Sequence, residues 1–137
     1  MKEVLLYLHQ LPQNLLGLLV ILFTRAKYND ISYKKDENFW ISKHFSFGVS
    51  LGNYIIFGNR PVSWVSLKHE QGHRIQSRRL GWLYLIVIGI PSAARNLWDR
   101  IAHSEWDYAD RIKWYYSSFP EKQADELGGV NRWQTRI

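Results

Sequence analysis

Cysteine is absent from the 137-residue chain. Its absence excludes a disulfide framework and every thiolate metal site, so a transition metal here must be held by histidine nitrogens and carboxylates. Charged residues are few for an unfolded segment, since they make up 22% of the chain against 46% hydrophobic residues. This composition excludes a disordered tail or a charge-driven linker, and the length predicts one domain over residues 1–137.

Acidic residues are in the minority, with 12 Asp and Glu against 18 Lys and Arg and a net charge of +6. The excess positive charge indicates an anionic partner, either phospholipid headgroups or nucleic acid. No nucleic-acid-binding module frames the arginines, so a solvated or lipid-facing basic face is the preferred interpretation and nucleic acid is not expected. The arginines concerned are Arg74, Arg78, Arg79, Arg95 and Arg100.

A long uninterrupted hydrophobic run is also missing. Polar residues around Pro12 interrupt the stretch from Val4 to Phe23, and the stretch from Trp82 to Ile90 is short, whereas a spanning helix needs about 20 apolar residues. Residues 1–23 are therefore predicted to form an amphipathic helix at a membrane surface, or a buried core helix. Basic flanking residues favour a monotopic or peripheral protein on an anionic leaflet, with a cytoplasmic protein as the alternative.

The order of the predicted elements indicates a mainly helical α+β domain with one β-hairpin. The polar segment from Arg25 to Asn38 is predicted to be an exposed loop. Aromatic and β-branched residues from Phe39 to Phe57 predict the hairpin, with Gly48 and Gly52 as its turn or bulge points.

Three helices are predicted after a strand break at Gly58 to Pro61. Each has a serine as its expected N-cap. They run from about Trp64 to Leu80 with Ser63 as the cap, from about Ala93 to Tyr116 with Ser92 as the cap, and from Ser118 to Gly128–Gly129.

The sequence His69-Glu70-Gln71-Gly72-His73 lies within the first of these helices. The four-residue spacing places the two imidazoles about 40° apart around the helix axis, so both can reach one ion. Glu70 lies about 100° from His69, where its carboxylate can hold a water molecule without binding the metal. The pattern predicts a metal site at which Glu70 can hold a metal-bound water, and a solvated face with two unrelated histidines is the alternative.

Two imidazoles leave a catalytic zinc ion one protein ligand short, so a third donor is expected further along the chain. Glu121 is the best candidate, because Glu121 and Asp125 share one helical face. One carboxylate can bind zinc while the other accepts the second N–H of a ligating histidine. The alternative is a capping box in which Glu121 only caps its own helix with Ser118.

Other side chains could contribute to the same site. His103, with Glu105 and Asp107 nearby, is an alternative third ligand or a group that stabilises an oxyanion. Tyr115 and Tyr116 can donate hydrogen bonds to an oxyanion, with core packing as the alternative.

HExxH on one helix and Glu121-x-x-x-Asp125 on a later one resemble the gluzincin zinc metallopeptidases, the thermolysin-like clan. The Glu-x-x-Ala-Asp form is also similar to the membrane-linked prenyl-protein and heat-shock membrane proteases. The resemblance implies a minimal zincin-like domain with Zn²⁺ bound by His69, His73 and Glu121. It also implies that Glu70 acts as general base and Asp125 supports a ligand.

The activity implied by the resemblance is zinc-dependent hydrolysis of a bond in a peptide or protein substrate. The predicted hairpin is similar to the zincin edge strand that pairs with an extended substrate. The alternative is a non-catalytic binding or interaction protein, in which the same zinc ion connects two helices. An open coordination position would separate these interpretations, because structural zinc sites are closed by four protein ligands.

Overall fold

A computed structural model describes residues 1–29, 38–58 and 62–132 of the chain. These ranges form a mainly helical α+β fold with a small mixed sheet that contains a hairpin, as predicted. Residues 30–37 of the predicted loop and residues 59–61 of the predicted strand break lie outside the described residues.

The described elements alternate between helices and short strands before the chain becomes helical throughout. The helices are α1 (Lys2–His9), α2 (Leu11–Thr24), α3 (Trp64–Leu80), α4 (Ile90–Ala102), α5 (Tyr108–Tyr115) and α6 (Glu121–Gly128). The strands are β1 (Lys27–Asn29), β2 (Phe39–Ser42), β3 (Val49–Leu51) and β4 (Tyr54–Gly58). A 3₁₀ turn (Gly81–Leu83) and a π-helix (Leu85–Gly89) lead from α3 to α4.

The sheet has the strand order β1-β2-β4-β3. β3 and β4 form the hairpin around Gly52, whose positive φ of 65° suits glycine in a tight turn. The prediction was wrong for two segments. Lys27–Asn29 is not a loop but an edge strand antiparallel to β2. The segment from Phe39 to Phe47, predicted as the first strand of the hairpin, is a strand only to Ser42 and pairs parallel with β4, and both strands of the observed hairpin lie from Val49 onwards.

The N-terminal segment is two helices instead of the single helix predicted for residues 1–23. α1 and α2 meet at Gln10 at an angle of 83°. Pro12 in the first turn of α2 has no N–H to continue a helix from α1, and this explains the break. Among the described residues, no single helix meets the length and hydropathy of a membrane span, and only the bent α1–α2 pair does so together.

A small apolar core lies where the sheet faces α3. Phe39, Ile55 and Phe57 pack there against Leu67 of α3, and the two phenylalanine rings meet edge to face at 5.3 Å. α3 begins after Ser63, whose hydroxyl accepts the Ser66 N–H at 3.1 Å, so the predicted N-cap is confirmed.

Two glycines allow α3 and α6 to touch backbone to backbone. A Cβ added at Gly72 would lie 1.8 Å from the carbonyl oxygen of Ala124, and one added at Gly128 would lie 1.9 Å from that of Lys68. Only glycine permits so close an approach. The first turn of α6 is thereby held beside the middle of α3.

The predicted helix from Ala93 to Tyr116 is also broken into two. α4 ends at Ala102, and Asp107 starts α5 by accepting the Asp110 N–H at 2.9 Å. The side-chain cap at Asp107 favours a new helix start over continuation. The predicted cap Ser92 lies inside the first turn of α4 instead of before it.

Candidate metal centre

Three buried donors from two helices converge at the contact between α3 and α6. The ligand atoms of His69, His73 and Glu121 all lie within 4.8 Å of one another. The Nε2 atom of each histidine is 3.0 Å from Glu121 Oε2. Both histidines are 5% exposed and Glu121 is fully buried, so the group can hold a metal ion away from bulk water.

Hydrogen bonds on the far side of each ring orient the two imidazoles. His69 Nδ1–H donates to Asp125 Oδ1 at 2.7 Å. His73 Nδ1–H donates to Gln76 Oε1 at 2.7 Å, and Gln76 itself donates to the Pro120 carbonyl at 3.1 Å. With Nδ1 engaged, Nε2 is the atom that each ring presents to an ion.

The third donor is positioned by two hydroxyl groups. Ser92 and Tyr115 both donate hydrogen bonds to Glu121 Oε1, the latter at 3.2 Å, which leaves Oε2 to face the histidines. The neighbouring Tyr116 packs its ring edge to face against His69, at 5.1 Å between centroids. Tyr115 therefore orients the Glu121 carboxylate, and Tyr116 packs against the ring of His69.

The charges of the group are strongly coupled. Burial lowers the pKa of His69, but hydrogen bonds to Asp125 and Glu121 outweigh it and raise the pKa to about 9. The pKa of His73 is likewise raised by Glu121 despite burial. Burial raises the pKa of Glu121, yet the bonds to both histidines hold it well below its usual range. A divalent cation would replace the protons on both Nε2 atoms, so metal binding releases protons.

Glu70 lies next to this group without belonging to it. Its side chain is 7% exposed, and Oε2 is buried with no hydrogen-bond partner among the described residues. Burial raises the pKa of this carboxyl group. A Cβ at Gly48 would lie only 3.0 Å from Glu70 Oε1, so the chain just before β3 borders the carboxylate. A buried carboxylate oxygen without a partner is costly, and such a group requires water or a ligand to satisfy it.

The alternative third ligands lie elsewhere. His103 does not belong to the three-donor group. Its Nδ1–H donates to Asp99 at 3.0 Å, and its ring stacks on Trp106 at 3.7 Å. Glu105 is exposed, and Asp107 caps α5.

The capping-box alternative for Glu121 is wrong. The N-cap of α6 is Pro120, with no side-chain cap hydrogen bond, and Ser118 lies further upstream. Glu121 is therefore the first residue of α6 and not the third, and its carboxylate points to the histidines instead of back to the Ser118 N–H.

Several residues of the site were not predicted. Gln76 follows His73 by three residues on the same helix face, and that spacing was the signal available for it. Ser92 gave no signal, because its contact with Glu121 depends on how α4 packs. Arg132 holds Asp125 through two hydrogen bonds of 2.8 and 2.7 Å.

The predicted basic face is not one surface. Arg74 donates to the Asn53 carbonyl at 3.1 Å, and Arg95 donates to the carbonyls of Trp114 and Tyr115 at 2.9 and 3.1 Å. These two arginines stabilise the fold, whereas Arg78, Arg79 and Arg100 are exposed.

Comparison of the chain with protein families, with curated proteins and with solved structures found no match. The resemblance to gluzincins therefore depends on the motif residues, and the functional conclusion depends on the geometry of the site.

The two carboxylates of α6 are expected to contribute differently to metal affinity. Glu121→Gln removes the anionic donor that completes the site, so zinc affinity should collapse while the helix persists. Asp125→Asn keeps an oxygen that can accept from His69 Nδ1–H but removes the negative charge that faces His69 and Arg132, and such changes weaken metal binding by about 10- to 100-fold. Titration with a competing chelator should therefore rank wild type first, Asp125→Asn second and Glu121→Gln last. Wild-type affinity in Glu121→Gln would exclude it as a ligand.

Proposed function

We propose that this protein is a zinc-dependent peptidase that hydrolyses peptide bonds with Glu70 as the general base. The observation that carries the proposal is the buried Glu70 carboxylate oxygen, which has no hydrogen-bond partner among the described residues and lies beside three convergent metal donors. A carboxylate in this position is suited to hold and deprotonate a water molecule next to the ion.

The donor set favours zinc over other common divalent ions. Two imidazole nitrogens and one carboxylate oxygen form a set found in catalytic zinc sites, whereas Mg²⁺ and Ca²⁺ prefer oxygen donors alone. The rings are oriented by Asp125 and Gln76, as expected where a histidine binds metal through its other nitrogen.

The number of donors favours a catalytic site over a structural one. Within residues 1–29, 38–58 and 62–132, the group that can hold a metal has three members, His69, His73 and Glu121. Structural zinc sites use four protein ligands, and a three-ligand site keeps a position for water or substrate. This count supports the peptidase over the alternative of a zinc-stabilised interaction protein.

The proposed chemistry divides between the ion and the chain. A zinc ion held by His69, His73 and Glu121 would supply Lewis-acid polarisation of the scissile carbonyl and would make a nearby water molecule more acidic. Glu70 takes the proton from the attacking water and passes it to the leaving amine. Ser92 and Tyr115 hold the Glu121 carboxylate, and burial keeps bulk water away from Glu70.

The sheet provides a means of binding an extended peptide. β3 lies at the edge of the four-stranded sheet, but its Ser50 is buried and the Ser50 carbonyl accepts a hydrogen bond from Tyr84 at 2.8 Å. The part of this edge that is open to a peptide is therefore the segment just before β3, where Gly48 borders Glu70. An edge strand can pair with an added peptide strand through main-chain hydrogen bonds. A peptide bound there would pass beside the general base, which supports a peptide bond as the target.

Metal content and hydrolysis together test the proposal. We expect about one zinc per chain after loading, because the site has a single set of three donors. His73→Ala should lose the zinc, and it should therefore no longer cleave a mixture of unfolded peptides. Mass spectrometry of the peptides measures this cleavage. A wild-type chain that stays metal-free after zinc loading would contradict the proposed function.

A further inference from the structure

The polarity of α2 is reversed relative to a surface helix of a water-soluble domain. Its buried face carries Gln13, Asn14 and Gly17 along with Ile21. Its exposed face is apolar, and it consists of Leu15 (49% exposed), Leu16 (41%), Leu18 (37%), Leu19 (49%), Leu22 (65%) and Phe23 (84%). In water, the apolar stripe of a helix faces the protein core. Here the stripe faces outward.

The buried polar side chains of α2 form hydrogen bonds inside the protein, although Gln13 Oε1 has no partner among the described residues. Gln13 donates to Ser77 Oγ at 2.8 Å and to the Gly81 carbonyl at 2.9 Å. Asn14 accepts the Asn53 N–H at 2.7 Å. Both side chains are fully buried. Polar and small residues that join helices while leucines face outward are the pattern of proteins in lipid.

The apolar surface continues from α1 to the segment that follows α3. Trp82 Nε1–H donates to the Leu8 carbonyl at 3.0 Å, which places the 3₁₀ turn against the end of α1. The large apolar side chains exposed on these two segments are Val4 (61%), Leu5 (60%), Leu8 (50%), Trp82 (62%), Leu83 (57%), Ile86 (63%) and Ile90 (63%). We call the exposed apolar residues of α1, α2 and Trp82–Ile90 the apolar face. Indole rings with one bonded N–H are typical of the membrane interface.

The charges that border the apolar face are mostly basic, with Glu3 in the first turn of α1 as an exception. Arg25 and Lys27 follow α2 directly and are exposed, and Arg78 and Arg79 are exposed just before Trp82. α2 itself contains no charged residue. In a two-fold contact between copies of the chain, the basic residues of the two borders would lie close together and repel one another. Anionic headgroups would instead compensate their positive charge.

We infer that the apolar face inserts into the hydrocarbon of an anionic lipid bilayer, with its basic border among the headgroups. The leucines of α2 replace their contact with water by contact with acyl chains, and the polar side of α2 stays bonded to α3 and the 3₁₀ turn. None of the three metal donors belongs to this face, so the inference is independent of the proposed activity.

Flotation with lipid vesicles tests the inference. The full chain is mixed with vesicles of phosphatidylcholine containing one-third phosphatidylglycerol, at low and at high salt. We expect the wild type to float in both, more strongly at low salt. Leu19→Glu combined with Leu22→Glu should lower the bound fraction at least tenfold, because a charged side chain is costly within hydrocarbon. Both leucines are exposed, so the double variant should keep its fold.

A control variant introduces a single glutamate at an exposed apolar residue outside the face. Trp64 is 59% exposed at the opposite end of α3 from Arg78, and Trp64→Glu should float like the wild type. Equal flotation of the wild type and the double variant would overturn the inference. The inference would also be overturned if the wild type does not bind vesicles and light scattering shows that it forms a dimer, while the double variant stays monomeric.

Discussion

Glu70→Gln should bind one zinc per chain like the wild type and lose hydrolysis by about 10²- to 10⁴-fold. The change leaves the three donors in place, since Glu70 is not among them. It removes the carboxylate that we propose accepts the proton of the attacking water. Because burial raises the pKa of Glu70, the wild-type carboxyl group is suited to take up that proton and give it to the amine. Metal analysis and the peptide-cleavage rate are measured on the same sample.

A second charge-neutralising variant controls for net charge. Glu126 is exposed on α6, and Glu126→Gln changes the charge equally without touching the site. It should cleave at the wild-type rate. Loss of zinc in Glu70→Gln would instead identify Glu70 as a ligand, and full activity with zinc retained would exclude it as the base.

Local patterns were sufficient to predict the individual helices that carry the site. The spacing of His69 and His73 implies one helical face, and the Ser63 cap fixes where that helix begins. The pair Glu121 and Asp125 could be predicted as a ligand and its support, because four residues separate neighbours on a helix. These inferences need only the geometry of a single helix.

Contacts between elements were beyond such reasoning. The break between α4 and α5 depends on Asp107 as a cap and on the stacking of His103 against Trp106, which a helical hydrophobic pattern does not reveal. The burial of Glu70 and the hydrogen bond from Ser92 to Glu121 arise only when the sheet and α4 pack against α3. The apolar character of the segment that forms α2 was predicted. The side of the helix that would be buried was not.

Gly72→Ala should destabilise the protein by at least about 3 kcal/mol, an effect above that of most single substitutions. The added methyl group would lie 1.8 Å from the Ala124 carbonyl oxygen, and this obstacle is backbone that cannot rotate away. α6 must then move away from α3, and Glu121 moves away from His69 and His73. Zinc binding should therefore be lost together with stability, although no donor has been changed.

Gly89→Ala is the matched control for this prediction. A Cβ at Gly89 would have Leu85 Cδ2 as its nearest neighbour at 3.5 Å, an ordinary contact, and φ there is −60°, which any residue adopts. Alanine should therefore be neutral or stabilising by up to about 1 kcal/mol, because it restricts the unfolded chain. Urea unfolding followed by circular dichroism, with and without zinc, measures both variants. Gly72→Ala could instead unfold at the wild-type urea concentration and still bind zinc. In that case α3 and α6 do not cross as closely as described, and the close backbone contact at Gly72 is not what holds Glu121 3.0 Å from the two histidines.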